Sequence, residues 1–152
     1  DYYHVQDMGD IDANNFSFRC KIKNNSNMGS VCHESRISVI CTKGRFNVPL
    51  SIPGCVSNLF LTLGNSYFNG KEYDLSPLGC DIGDWTEFEL VVTDKSCTIS
   101  LNDETKLEER YSIDIGKVVG FKFKFNGVGE VDDVVLQDDS GTIVFSDSFE
   151  AI

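Results

Sequence analysis

The residues that come nearest to chemistry are the paired acids Asp132 and Asp133, with Glu130 just before them, in the otherwise apolar run Val131 to Leu136. Acids grouped on a strand have three readings. They could be carboxylates of a catalytic site, working as base, nucleophile or acid. They could start a cation site, which would need more oxygen ligands, with Asp138 and Asp139 in the next turn the nearest supply. Or they could be structural, one acid pointing outward or accepting backbone N–H groups, the other meeting a lysine, arginine or amide. A buried unpaired carboxylate is costly, so a partner is expected in any case. The structural reading is preferred. Calcium is the cation of the second reading, and no other cofactor is expected.

Other reactive sets are poorer. The chain has two histidines, His4 in a polar lead-in and His33 beside Cys32. Adjacent residues on an extended chain point apart, so a Cys32–His33 pair is not expected to work together. There is no G-x-S-x-G elbow, phosphate loop or dinucleotide fingerprint, and Gly127-Val128-Gly129 lacks a following helix. Asp10 to Asn14 opens like a calcium loop, but the sixth position is Asn15 and the twelfth is Lys21, where glycine and glutamate belong. Trp85, Tyr67, Tyr73 and Tyr111 are the candidates for stacking on a ligand face. For Trp85 the preferred expectation is a plug in the core or under a long loop, because an indole is usually buried over most of its area.

The totals bound what these residues can serve. The chain has 152 residues and a net charge of −11, which repels phosphate backbones and argues against nucleic-acid partners. Six cysteines, without any C-x-x-C pair, fit an oxidising compartment and exclude a zinc ribbon. Cys20, Cys41 and Cys97 fall on inward strand positions and read as small buried hydrophobes. Cys32, Cys55 and Cys80 fall in loops and are the disulfide candidates, with connectivity open. No apolar run approaches the roughly 20 residues of a spanning helix, so membrane insertion by this segment is not expected. A start at Asp1 without an initiator Met reads as a mature form or an excised segment. The localisation expected is extracytoplasmic: periplasmic, cell-surface or secreted.

The elements that must position these residues are strands. Residues 1–12 read as a polar lead-in, and 13–152 as a single β-sandwich domain. Phe16, Phe18, Cys20 and Ile22 alternate with Ser17, Arg19, Lys21 and Lys23, the period of a half-buried strand. The same alternation recurs at Ile37–Cys41, Phe46–Leu50, Leu59–Leu63, Phe88–Val92, Cys97–Leu101 and Phe121–Phe125. Asn69-Gly70 carries a hairpin signal. Lys106 to Arg110 reads as a short helical turn. About ten strands and no amphipathic helix of ordinary length predict a two-sheet sandwich.

The second half carries a resemblance. Trp85 leads Phe88 to Val92, a tight turn and Cys97 to Asn102 follow, and after a loop come Ile115-Gly116, Phe121 to Phe125 and Gly129-Glu130-Val131-Asp132-Asp133-Val134. This order, over about 65 residues, resembles the concanavalin A-like, laminin-G-like jelly-roll superfamily, and the acidic, cysteine-containing whole is similar to exported β-domains of Bacteroidetes-type bacteria. The resemblance implies an all-β, two-sheet antiparallel jelly roll. It also implies a role among lectins, carbohydrate-binding modules, adhesion domains and glycoside hydrolases. Jelly-roll glucanases of that superfamily carry E-x-D-x-x-E, or a form one residue longer. Glu130-Val131-Asp132 matches its start, but Val135 and Leu136 stand where the closing acid belongs, so no catalytic residue is assigned. The expected function is a non-catalytic extracytoplasmic binding domain for a glycan or protein. The alternatives are a glycan-processing enzyme or its accessory domain, and a structural or sensor domain contacting protein.

Overall fold

The computed structural model describes residues 2–5, 10–24, 32, 34–126 and 128–147. The strands are β1 (Tyr2–Val5), β2 (Asn15–Asn24), β3 (Glu34–Cys41), β4 (Gly44–Ser51), β5 (Phe60–Leu63) and β6 (Ser66–Asn69). They continue with β7 (Thr86–Thr93), β8 (Ser96–Leu101), β9 (Glu104–Arg110), β10 (Val118–Phe125), β11 (Gly129–Asp138) and β12 (Ile143–Asp147). One 3-10 turn, Ser76–Leu78, interrupts the loop before β7, and no α-helix occurs among the described residues. The strands form two six-stranded sheets, ordered β1-β10-β3-β4-β5-β6 and β12-β11-β2-β7-β8-β9. Every named strand pair is antiparallel. This is the all-β sandwich that the alternation predicts.

Apolar residues of the two inner faces meet between the sheets. Phe18 of β2 packs on Phe121 of β10 at a ring distance of 5.3 Å, and Phe16 of β2 meets Phe46 of β4 at 5.5 Å. Phe121 and Phe123 are buried while Lys122 and Lys124 point away, the division expected of one-sided strands. Cys20, Cys41 and Cys97 join the same core, and burial pushes the Cys41 and Cys97 thiols up to about 12. Cys32 and Cys55 form a disulfide that ties the approach to β3 to the loop after β4. Cys80, the third candidate, is a free, partly buried thiol.

The hairpins explain the compactness of the second sheet. Asp94-Lys95 between β7 and β8, and Asn102-Asp103 between β8 and β9, have positive φ at both central residues. That turn geometry follows the natural twist of two antiparallel strands.

Three expectations are corrected. Asn69-Gly70 is not a hairpin turn, since neither residue has positive φ; Asn69 ends β6, and its carbonyl accepts the amides of Glu72 and Tyr73 as the chain leaves the sheet. The β5–β6 hairpin turns at Gly64 instead, whose φ is +61°. Lys106 to Arg110 is not helical: it belongs to β9, because pairing along β8 outweighs the helix propensity of a five-residue run. Within residues 1–12, read as a lead-in, Tyr2–Val5 pairs with β10, and Ile11 lies in the core.

Candidate functional site

The outer face of the second sheet carries a groove. The polar positions of β2 (Arg19, Lys21, Lys23) lie opposite the polar positions of β7, in register: Arg19 with Glu89, Lys21 with Glu87. On the other side of β2 runs β11, where Asp132 pairs with Lys21 and Val135 with Arg19. Between those two pairs the register shifts, so Asp133 and Val134 together stand opposite Cys20. This is a β-bulge, which adds a residue to one strand and re-aims its side chain. Asp133 has φ +49° there. Val134 turns into the core, and the Asp133 carboxylate turns out over β2, 3.3 Å from the Lys21 ammonium.

The resulting cavity, of about 410 Å³, crosses five strands. Its charged walls are Arg19, Lys21, Glu87, Glu89, Asp103 and Asp133, with Ser100, Val135 and Ser146 completing the surface. Four carboxylates thus face two cations. Lys21 sits between two of them, with Glu87 Oε1 at 4.0 Å. The Glu87 and Asp133 oxygens that flank it are therefore no more than about 7 Å apart. Asn102 steadies one wall: its side-chain oxygen accepts the Glu87 amide at 2.9 Å, and its own amide donates to the Glu87 carbonyl.

The sequence-derived candidates separate in space. Trp85 continues the polar row of β7 two residues before Glu87. It is not the expected plug: it is 44 % exposed, with the Lys23 ammonium 5.9 Å from its ring centroid. The lysine beside it on the same face covers part of the indole and leaves the rest open. Tyr111 is the reverse case. It is 3 % exposed, packs on Phe46 and donates its hydroxyl to Asn14 Oδ1 at 2.7 Å, so it is a core residue and offers no face to a ligand. Tyr73 packs on Phe68 and donates its hydroxyl to Glu109, which together with burial pushes it up to about 12. Tyr67 is 63 % exposed beside Phe60 on the edge hairpin of the first sheet, apart from the groove.

The acids also divide. Asp132 accepts the Asp133 amide at 2.8 Å and Asp133 pairs with Lys21, so both have the partners their chemistry requires. Asp138 lies five residues beyond Asp133, roughly 16 Å along the strand. It organises the β11–β12 turn, accepting from the Ser140 hydroxyl and the amides of Ser140 and Thr142, bonds that hold its carboxyl below the usual range. Asp139 stands in that same turn. The structure therefore does not bring Asp132 and Asp133 together with Asp138 and Asp139. Among the described residues, no three His, Cys, Asp or Glu side chains are grouped to hold a metal ion. Asp12, in the calcium-loop-like stretch, spends its carboxylate on the Asn14 and Asn15 amides. His33 lies outside the described residues.

No single signal marks the groove in the sequence. The trace it leaves is charge complementarity: bases on the polar face of β2, acids on that of β7. Opposite charges directly across strands attract.

Compared by sequence, no family profile and no curated protein matches the chain. Solved structures do resemble it. A carbohydrate-binding module, CBM66, from Bacillus subtilis superposes with a TM-score of 0.56 at 10% identity, over 89% of this chain and 90% of that one. A tetrameric galectin from the ball sponge Cinachyrella sp. gives 0.52 at 10% identity, over 90% and 97%. A human galectin-16 variant gives 0.50 at 11% identity, over 90% and 94%. At these identities the likeness is one of fold, and it agrees with a concanavalin A-like jelly roll.

Proposed function

We propose that this chain is a non-catalytic carbohydrate-binding domain, with its ligand in the groove on the outer face of the second sheet. One observation carries the reading. A cavity of ligand size, walled by hydrogen-bonding side chains from several strands, lies on the outward face of the second sheet, with an exposed indole at the end of the same row. Sugars present hydroxyls that both donate and accept, together with apolar ring faces. Alternating carboxylates and cations answer the first, and an exposed tryptophan answers the second. The fold likeness to a carbohydrate-binding module and to galectins supports this by analogy. The Cys32–Cys55 disulfide fits an oxidising, extracytoplasmic setting.

A glycan array followed by calorimetric titration tests the reading. Binding at millimolar affinity or tighter is expected, and Trp85→Ala should weaken it about tenfold, or about 1.4 kcal/mol. An array without any binder overturns it.

One observation favours a second reading, a glycan-processing enzyme. The Glu87 and Asp133 oxygens that contact Lys21 lie no more than about 7 Å apart, below the upper limit of the separations that glycosidase carboxylates use. That chemistry requires one carboxyl to arrive protonated opposite an ionised partner. Here both carboxylates face one ammonium and are about half-exposed, an arrangement better suited to holding a ligand. Release of reducing ends from any bound oligosaccharide, abolished by Glu87→Gln, would move the assignment to the enzyme.

A further inference from the structure

The groove floor is crossed by a bridge of three side chains from three adjacent strands: Asp133 of β11, Lys21 of β2 and Glu87 of β7. The bridge depends on a backbone irregularity. Asp133 reaches Lys21 only because the bulge inserts an extra residue into β11 and places that residue at φ +49°. Left-handed backbone disfavours residues other than glycine, and aspartate is among the few that tolerate it. A glycine would fill the bulge more easily but would carry no carboxylate. The ion pair it makes is half-exposed, and such pairs add little to stability. Strained positions of this kind cluster where a side chain serves a ligand.

We infer that the Glu87–Lys21–Asp133 bridge is the element that reads the ligand, and that it selects an uncharged sugar bearing a vicinal diol over glycans that carry carboxylate or sulfate. This rests on the groove being the glycan site. The bridge presents an acceptor, a donor and an acceptor in a row across the groove. Two neighbouring hydroxyls match that row: each donates to a flanking carboxylate, and both oxygens accept from the central ammonium. The rest of the lining sets the charge preference. With Glu89 and Asp103 added, four carboxylates face Lys21 and Arg19, in a chain whose net charge is −11. An anionic sugar entering this groove meets like charges in a confined space, which raises its cost relative to the neutral counterpart.

The test is calorimetric titration of the whole chain with a neutral oligosaccharide and its uronate counterpart, using wild type, Lys21→Met, Glu87→Gln and Asp133→Asn. Urea midpoints identify variants that have not folded. All three side chains are about half-exposed, so the midpoints are expected to stay close to wild type. Wild type should bind the neutral sugar at least about tenfold tighter than the uronate. Lys21→Met should lose about tenfold in neutral-sugar affinity, and Asp133→Asn and Glu87→Gln should narrow the gap between the two sugars. Equal or tighter binding of the uronate overturns the inference. So does unchanged neutral-sugar affinity in folded Lys21→Met together with Asp133→Asn. If neither sugar nor any other glycan binds wild type, the glycan reading itself falls. If glycans bind but ignore the bridge, only the selectivity inference falls.

Discussion

Gly64→Ala isolates how the two sheets are wedged together at one end. Gly64 turns the β5–β6 hairpin at φ +61°, and its amide donates to the Arg45 carbonyl. An added Cβ would lie 2.6 Å from Cγ and 2.7 Å from Cδ2 of Tyr111. The ring cannot swing aside freely, because it packs on Phe46 and its hydroxyl is bound to Asn14. Left-handed backbone costs a non-glycine residue about 1–2 kcal/mol, and overpacking a core contact adds about 1–3 kcal/mol. The sum, about 2–5 kcal/mol, is a large part of the roughly 5–15 kcal/mol of a whole domain. At this chain length it should lower Tm by about 4–20 °C. Gly141→Ala is the control: its φ is +84°, but an added Cβ meets nothing within 4 Å, so only the backbone term of about 1–2 kcal/mol remains. Urea unfolding of both variants, and of Gly64→Ala in a Tyr111→Leu background, separates the terms. The alanine should cost less once the ring is gone, with a coupling of about 1–3 kcal/mol. If Gly64→Ala is no worse than Gly141→Ala, or if the cycle shows no coupling, the wedge argument is wrong.

Phe18→Ala should cost about 3–5 kcal/mol in urea unfolding, since its ring is buried between the sheets against Phe121 and Phe123; a loss under 1 kcal/mol would mean that the core there is not close-packed. Denatured, unreduced protein should titrate four free thiols, and reduction of the Cys32–Cys55 loop should lower stability by about 3 kcal/mol on chain-entropy grounds; six thiols would reject the disulfide. The native thiols of Cys20, Cys41 and Cys97 are pushed up by burial, so the native state holds protons that the unfolded chain releases. Their contribution is therefore complete below the unfolded thiol range and is lost as pH rises from about 8.5 towards 12. Urea midpoints should fall over that interval, and Cys97→Ala should reduce the slope.

The fold was legible wherever one face of a strand is buried. Phe16 to Ile22 and Phe121 to Phe125 show their alternation directly, because each inward position meets the other sheet and each outward one meets water. The groove was legible only in its parts. Lys21, Glu87 and Asp133 are ordinary surface residues one at a time, and no local pattern says that β2 lies between β7 and β11. The bulge was hidden as well: alternation puts Glu130 and Asp132 on one face, but nothing in Val131 to Leu136 announces that the pattern resets after Asp133. Size misled for Trp85, whose indole is not the buried plug expected of it. Trp85 is open, with Lys23 shielding only part of it, while Tyr111, a stacking candidate in the sequence, is buried against Phe46 with its hydroxyl on the half-buried Asn14. Asn69-Gly70 failed as a hairpin because turn chemistry permits a reversal without supplying a strand to return.

The strand order of the second sheet has a kinetic consequence. The meander β7-β8-β9 pairs sequence neighbours and can form early, but β2 must wait on one side for β7 and on the other for β11, more than a hundred residues along the chain. Lys21, Glu87 and Asp133 come from those three strands, so the bridge exists only after the last long-range pairing closes. Partly folded chains would present the meander and the indole without the groove. Ligand binding would then report completed folding, and a bound sugar would stabilise the closed sheet against all earlier states, in proportion to the logarithm of its concentration.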